Sequence, residues 1–124
     1  MGKILVVDDD EMNLTMIGHA LGKAGHEVIT QHSGLCALAY LRDESADICL
    51  LDIEMPGMNG YICLDIMTDE GYMKPEDVAF MTATIDDEVL ERKEQMGVLQ
   101  CIKKPFLPDE LTQIVAKMLE HKGV

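Results

Sequence analysis

Lys3-Ile4-Leu5-Val6-Val7-Asp8-Asp9-Asp10 runs through four consecutive apolar residues straight into three carboxylates. A short run that is apolar at every position fits a strand covered on both faces; a half-solvated strand would alternate apolar with polar residues. The same form recurs along the chain. Glu27–Thr30 is a short strand, Asp47–Leu51 an apolar one ending at Asp52, Val78–Met81 one ending at Thr82, and Leu99–Ile102 one ending at Lys103 and Lys104.

Amphipathic segments separate these runs. Residues 12 to 24 place Leu14, Ile17, Leu21 and Ala24 on one helical face. Gly18 and Gly22 weaken that helix. Gly25 ends it in the position favoured for a left-handed cap, and Asp10 and Glu11 suit capping of its start. Ser33 is an N-cap for a helix carrying Ala37, Leu38 and Leu41. Met55-Pro56-Gly57 breaks regular structure. A helix from about Asn59 then puts Ile62, Cys63, Ile66 and Met67 on one face, and the polar stretch Thr68 to Pro75 reads as a loop. Asp86, Asp87 and Glu88 suit a helix N-terminus. Pro108 opens a last helix in which Leu111, Ile114, Val115, Met118 and Leu119 follow the amphipathic period.

Five strands and five helices in strict alternation imply a doubly wound α/β fold with one parallel sheet. Ligands in such sheets bind beyond the carboxyl ends of the strands. Asp8, Asp9, Asp52, Thr82 and Lys104 all fall at carboxyl ends, so fold and polar residues point to one edge of the molecule.

The chain has 124 residues, a net charge of −13 and 48% hydrophobic residues, which suits one soluble domain over 1–124. So acidic a surface repels a phosphate backbone and an anionic bilayer, which argues against direct nucleic-acid or membrane binding. No apolar stretch approaches the ~20 residues needed to span a bilayer. The first residues read as a strand and not as a secretory signal, which makes the cytoplasm the expected location. Cys36, Cys49, Cys63 and Cys101 lie 13, 14 and 38 residues apart, without zinc-site spacing, and are expected as buried thiols in a reducing compartment. The ten methionines read as core fill, and His19, His26, His32 and His121 as structural. No P-loop, G-x-G-x-x-G or G-x-S-x-G motif is present.

Asp8, Asp9 and Asp52 cannot all be ionised side by side without a neutralising charge. Mg²⁺, a hard cation that takes oxygen ligands and is commonly shared with phosphate, meets that need. Lys104 can pair with Asp52 at rest and with phosphoryl oxygens afterwards, and the Thr82 hydroxyl can hydrogen-bond a phosphoryl oxygen. Phosphoryl transfer needs mostly positioning and charge neutralisation, and this set supplies both. Each residue alone has a bland reading as cap, turn or strand end. Their joint placement is what points to chemistry.

At this point the sequence resembles the receiver domain of bacterial response regulators over essentially its whole length. The resemblance rests on residues 3–10, on Leu50-Leu51-Asp52-Ile53-Glu54-Met55-Pro56-Gly57-Met58-Asn59-Gly60, on Met81-Thr82-Ala83-Thr84 and on Lys103-Lys104-Pro105-Phe106. Asp52 precedes Thr82 by 30 residues and Lys104 by 52, as in that family. It implies a flavodoxin-like (βα)5 fold of strand order 2-1-3-4-5. It further implies Asp52 as phosphoacceptor, Asp9 as a direct Mg²⁺ ligand, Asp8 as one acting mainly through water, and the Glu54 backbone carbonyl as another. Thr82 would be the switch hydroxyl, with Ala83 leaving room for the phosphoryl group. Lys104 would bind a phosphoryl oxygen, and its peptide to Pro105 would be cis. The Glu54 and Thr84 side chains would flank the route of hydrolysis. The implied donor is a phosphohistidine on a sensor histidine kinase or histidine phosphotransfer protein; the output is a downstream effector, and a homodimer is possible. On this reading the chain is a signalling switch that catalyses only its own phosphorylation and dephosphorylation.

Two positions depart from the pattern. Cys101 stands where the family often has Tyr or Phe, which leaves Thr82 and the following loop as the expected route of the signal. Asn59 stands where Asp is frequent, and helix capping survives that change. A Mg²⁺-dependent phosphohydrolase with an aspartyl nucleophile is the alternative suggested by Asp52-Ile53-Glu54. A flavodoxin-like electron carrier and a phosphorylation-independent relic are weaker ones. The chain stops after the fifth helix, which suits a free-standing regulator or a receiver cut from a longer protein.

Overall fold

The computed structural model describes residues 1–123. In chain order it consists of β1 Lys3–Val7, α1 Glu11–Lys23, β2 Glu27–Gln31, α2 Gly34–Asp43, β3 Ile48–Asp52, α3 Gly60–Asp69, β4 Val78–Thr82, α4 Asp87–Met96, β5 Gln100–Lys103 and α5 Pro108–Lys122. The strands form one parallel sheet of order β2-β1-β3-β4-β5, the order expected. A turn of 3-10 helix, Pro75–Asp77, adds to the expected alternation.

The sheet has a core on each face. Leu5, Val7, Cys49, Leu51 and Phe80 point to one side, with Ala37, Leu41, Leu64, Met67 and Val89 from α2, α3 and α4. Ile4, Val6, Leu50, Ala79 and Met81 point to the other, with Ile17 and Leu21 of α1 and Leu111 and Val115 of α5. Successive strand residues alternate between faces, so burying both faces demands apolar residues at every position. That is why β1, β3 and β4 read as continuous runs.

The structure corrects several boundaries and faces. β3 and β4 include Asp52 and Thr82, and β5 runs to Lys103, because the parallel ladder continues through the polar residues: Asp52 lies opposite Met81 and Thr82 opposite Lys103. Thr68 and Asp69, expected in a loop, finish α3. On α3 the buried face is Tyr61, Cys63, Leu64 and Met67, while Ile62 is exposed. The side of α3 that docks on the sheet is thus shifted from the expected one, with Gly60 and Tyr61 buried in place of Ile62. Ala24 is exposed rather than buried. Cys49 and Cys63 are buried thiols as expected; Cys36 and Cys101 are only half-buried.

Caps behave as their residue types require. Asp10, Ser33 and Asp86 each accept from a backbone N–H in the first turn of α1, α2 and α4. Gly25, at φ +96°, provides the left-handed turn after α1. The Asn59 carboxamide oxygen accepts from the Ile62 N–H at 3.0 Å. Asn59→Ala is expected to lower unfolding free energy by about 1 kcal/mol, read as a lower urea midpoint at unchanged slope.

Candidate functional site

Asp8 leaves β1 with its backbone still tied to the sheet, its N–H donating to the Gln31 carbonyl at 3.1 Å. Its carboxylate is fully buried. Oδ1 accepts from the Asp10 N–H at 3.0 Å and Oδ2 from the Asn13 carboxamide at 3.3 Å. Asp52 ends β3 and is almost fully buried. Ile53 immediately after it donates to the Met81 carbonyl at 2.9 Å, and Gly60 donates to the Ile53 carbonyl at 2.8 Å. The phosphoacceptor candidate is therefore clamped from both sides by backbone.

Lys104 closes the site from β5. Its N–H donates to the Thr82 carbonyl at 2.8 Å, one step past the end of the strand, and the peptide to Pro105 is cis. The ammonium lies 2.9 Å from Asp8 Oδ2 and 3.1 Å from Asp52 Oδ2. Sequence reasoning paired Lys104 with Asp52; it missed Asp8, an equal partner that no spacing rule singles out. Asp8, Asp9 and Asp52 each place a carboxylate oxygen within 4.8 Å of the others. None of the four histidines joins this cluster.

Burial, then the neighbouring Asp8 charge, push the Asp52 carboxyl up to about 7 against the relief given by Lys104. For Lys104, burial favours the neutral amine, but hydrogen bonds to both carboxylates and their charges outweigh it and raise the ammonium's pKa. One cation thus faces two buried anions. Asp8, Asp9 and Asp52 bring three hard carboxylate oxygens together beside that single ammonium, a donor set that suits Mg²⁺.

Thr82 is fully buried at the end of β4. Its hydroxyl donates to Glu54 Oε1 at 2.5 Å, with the Thr84 carbonyl 3.1 Å away, and accepts from the Thr84 N–H at 3.2 Å. The Glu54 side chain thus turns to Thr82 and is not among the clustered carboxylates. Sequence reasoning did not foresee this contact. Beside Cys101 the aromatic content comes instead from α3: Tyr61 packs edge-on to Phe80 with centroids 5.3 Å apart, and the Arg92 guanidinium lies 4.3 Å from the Tyr61 ring. A cleft of about 560 Å³ lies at the other end of the sheet, between Lys74, Leu99 and Lys117. It holds none of the clustered carboxylates.

Residues 4–116 match the family described as the response regulator receiver domain. The chain is 33% identical to sporulation initiation phosphotransferase F of Bacillus subtilis, covering 98% of this chain and 96% of that protein. It is 34% identical over 95% of its length to the sensor histidine kinase RcsC of Salmonella typhi, of which it spans only 12%. The solved structure of the chemotaxis protein CheY4 of Vibrio cholerae superposes with a TM-score of 0.90 at 28% identity, covering 96% of this chain and 99% of that one.

Proposed function

This chain belongs to the response regulator receiver domain family of two-component signalling, and we propose that Asp52 is the carboxylate on which it accepts a phosphoryl group. The observation that carries this reading is the placement of Asp52 Oδ2 at 3.1 Å from the Lys104 ammonium, inside one cluster with Asp8 and Asp9. A carboxylate so held has a cation beside it to take the charge of the phosphoryl oxygens.

The donor we propose is a phosphohistidine on a sensor histidine kinase or a histidine phosphotransfer protein. A carboxylate oxygen of Asp52 forms the new P–O bond. The P–N bond breaks, and the imidazole leaves with its electron pair and takes up a proton from water. Lys104 turns from its carboxylate partners to a phosphoryl oxygen, and the Thr82 hydroxyl donates to another. Asp8, Asp9 and Asp52, with the Glu54 backbone carbonyl, would hold Mg²⁺, which would supply charge neutralisation there. Glu54 and Thr84 flank the approach of water that later hydrolyses the acyl phosphate. Members of this family are signalling switches, and the output proposed here is a changed surface read by a downstream effector protein. Among the described residues no helix is long and apolar enough to cross a membrane.

Intact-mass measurement after acetyl phosphate and Mg²⁺ tests the reading. One phosphoryl adduct per chain is expected, and EDTA is expected to prevent it. Absence of an adduct with both acetyl phosphate and a phosphorylated histidine phosphotransfer protein would overturn the proposal. Steady turnover of a small phosphate ester would favour the phosphohydrolase reading instead.

A further inference from the structure

The Thr82 hydroxyl has a single proton and two acceptors in reach, Glu54 Oε1 at 2.5 Å and the Thr84 carbonyl at 3.1 Å; the shorter contact to the carboxylate takes it. An ionised carboxylate is a stronger acceptor than the Thr84 carbonyl at 3.1 Å. To bond a phosphoryl group on Asp52 the same hydroxyl must give up Glu54. The two hydrogen bonds exclude each other by proton count alone. We propose that the Glu54 side chain is a latch, a positioning residue that holds Thr82 in the resting arrangement and sets how much of the switched state exists before phosphorylation. This rests on the phosphoacceptor reading above and adds to it a regulatory role for a side chain outside the acidic cluster.

The latch is wired to the surface. The Thr84 N–H donates to the Thr82 oxygen, so the hydroxyl carries the loop after β4 with it. That loop leads to Asp86, whose carboxylate caps α4 through the Val89 N–H at 2.9 Å. Ala83 and Thr84 are exposed, as is Glu54. A phosphoryl group on Asp52 acts on the latch twice. It offers the hydroxyl a more highly charged acceptor, and its charge repels the Glu54 carboxylate. Release of Thr82 then frees the Thr84 amide, and the loop rearranges.

The test is a set of amide NMR spectra of Mg²⁺-loaded protein: wild type, Glu54→Ala and Glu54→Gln, each with and without beryllofluoride as a phosphoryl mimic. Before any mimic is added, Glu54→Ala is expected to move the Ala83 and Thr84 amides along the line joining resting and beryllofluoride-saturated wild type. A hydrogen bond to a charged group corresponds to a shift of about tenfold or more in that equilibrium. Glu54→Gln keeps an acceptor without the charge and is expected to fall between. In a Thr82→Val background the Glu54 substitution is expected to move neither amide. Glu54→Ala amides that stay at the resting positions, or move equally in the Thr82→Val background, would overturn the latch. A wild type that forms no adduct and does not respond to beryllofluoride would instead overturn the phosphoacceptor reading, so the two failures are distinct. Glu54 is exposed, and its substitution does not endanger the core.

Discussion

Asp52→Asn is expected to lose the phosphoryl adduct completely and, without metal, to be more stable than wild type at pH 8. The loss follows because a carboxamide is no nucleophile at neutral pH. The gain follows from electrostatics. Burial and the Asp8 charge hold the Asp52 carboxyl at about 7, against 3.8 in an unstructured chain. An acid whose native pKa lies above its unfolded value favours the folded state at low pH and loses that contribution as pH rises through the native pKa. From about pH 4 to 7, then, the metal-free wild type gives up stability at this position, and at pH 8 Asp52 is a strained anion. Asn occupies the same space without the charge and still offers Lys104 an oxygen. The expected advantage at pH 8 is on the order of 2 kcal/mol, shrinking as pH is lowered toward 5. Thermal unfolding in EDTA across that range measures it. Mg²⁺ is expected to raise the wild-type midpoint well above that of the variant. A variant less stable than wild type at pH 8 would show that the carboxylate pair is fully compensated by Lys104.

Gly60→Ala is expected to be the most damaging single methyl addition near the site. A Cβ at this position would overlap the Asp52 carbonyl oxygen and stand 2.9 Å from the Ile53 Cα and 3.1 Å from the Asp52 carbonyl carbon. All three are backbone atoms, so no side chain can move aside. Relief requires displacing either the end of β3 or the first turn of α3, and with it the hydrogen bond from Gly60 to Ile53. A destabilisation of about 3 kcal/mol is expected, together with slower adduct formation, because the displaced segment carries Asp52. Gly22 is the control. Nothing lies within 4 Å of a Cβ there, and Gly22→Ala in exposed helix is expected to stabilise by about 0.5 kcal/mol. Urea unfolding of both variants gives the comparison, and similar stabilities would refute the close-approach argument.

Much of the fold was legible because burial of both sheet faces leaves an unambiguous mark on the chain. Val7, Leu51 and Met81 precede Asp8, Asp52 and Thr82 with no transition, and that abruptness by itself marks the edge of the sheet where the site lies. What was not legible has physical causes. The ladder does not stop where hydrophobicity stops, so Asp52 and Thr82 belong to strands that pattern alone ends one residue early. Ile62 and Leu64 differ in burial because the close approach of Gly60 to the end of β3 decides which side of α3 docks on the sheet, a tertiary event. The Lys104–Asp8 and Thr82–Glu54 contacts join residues 96 and 28 positions apart. Each depends on which way a long side chain leans, and periodicity carries no record of that.

The sheet order also distributes mechanical duty. β1 and β3 lie in the interior of the sheet, each flanked by neighbours on both sides, whereas β5 is a four-residue margin with one neighbour. Asp8 and Asp52 therefore hang from the rigid middle of the molecule and Lys104 from its border. A displacement of β5 bears on the ammonium through the backbone of Lys104 itself, whereas α5 packs on α1 and on β3, the strand that carries Asp52. In an assembled signalling complex, a protein gripping that border would hold a lever on the site's lysine without touching the nucleophile.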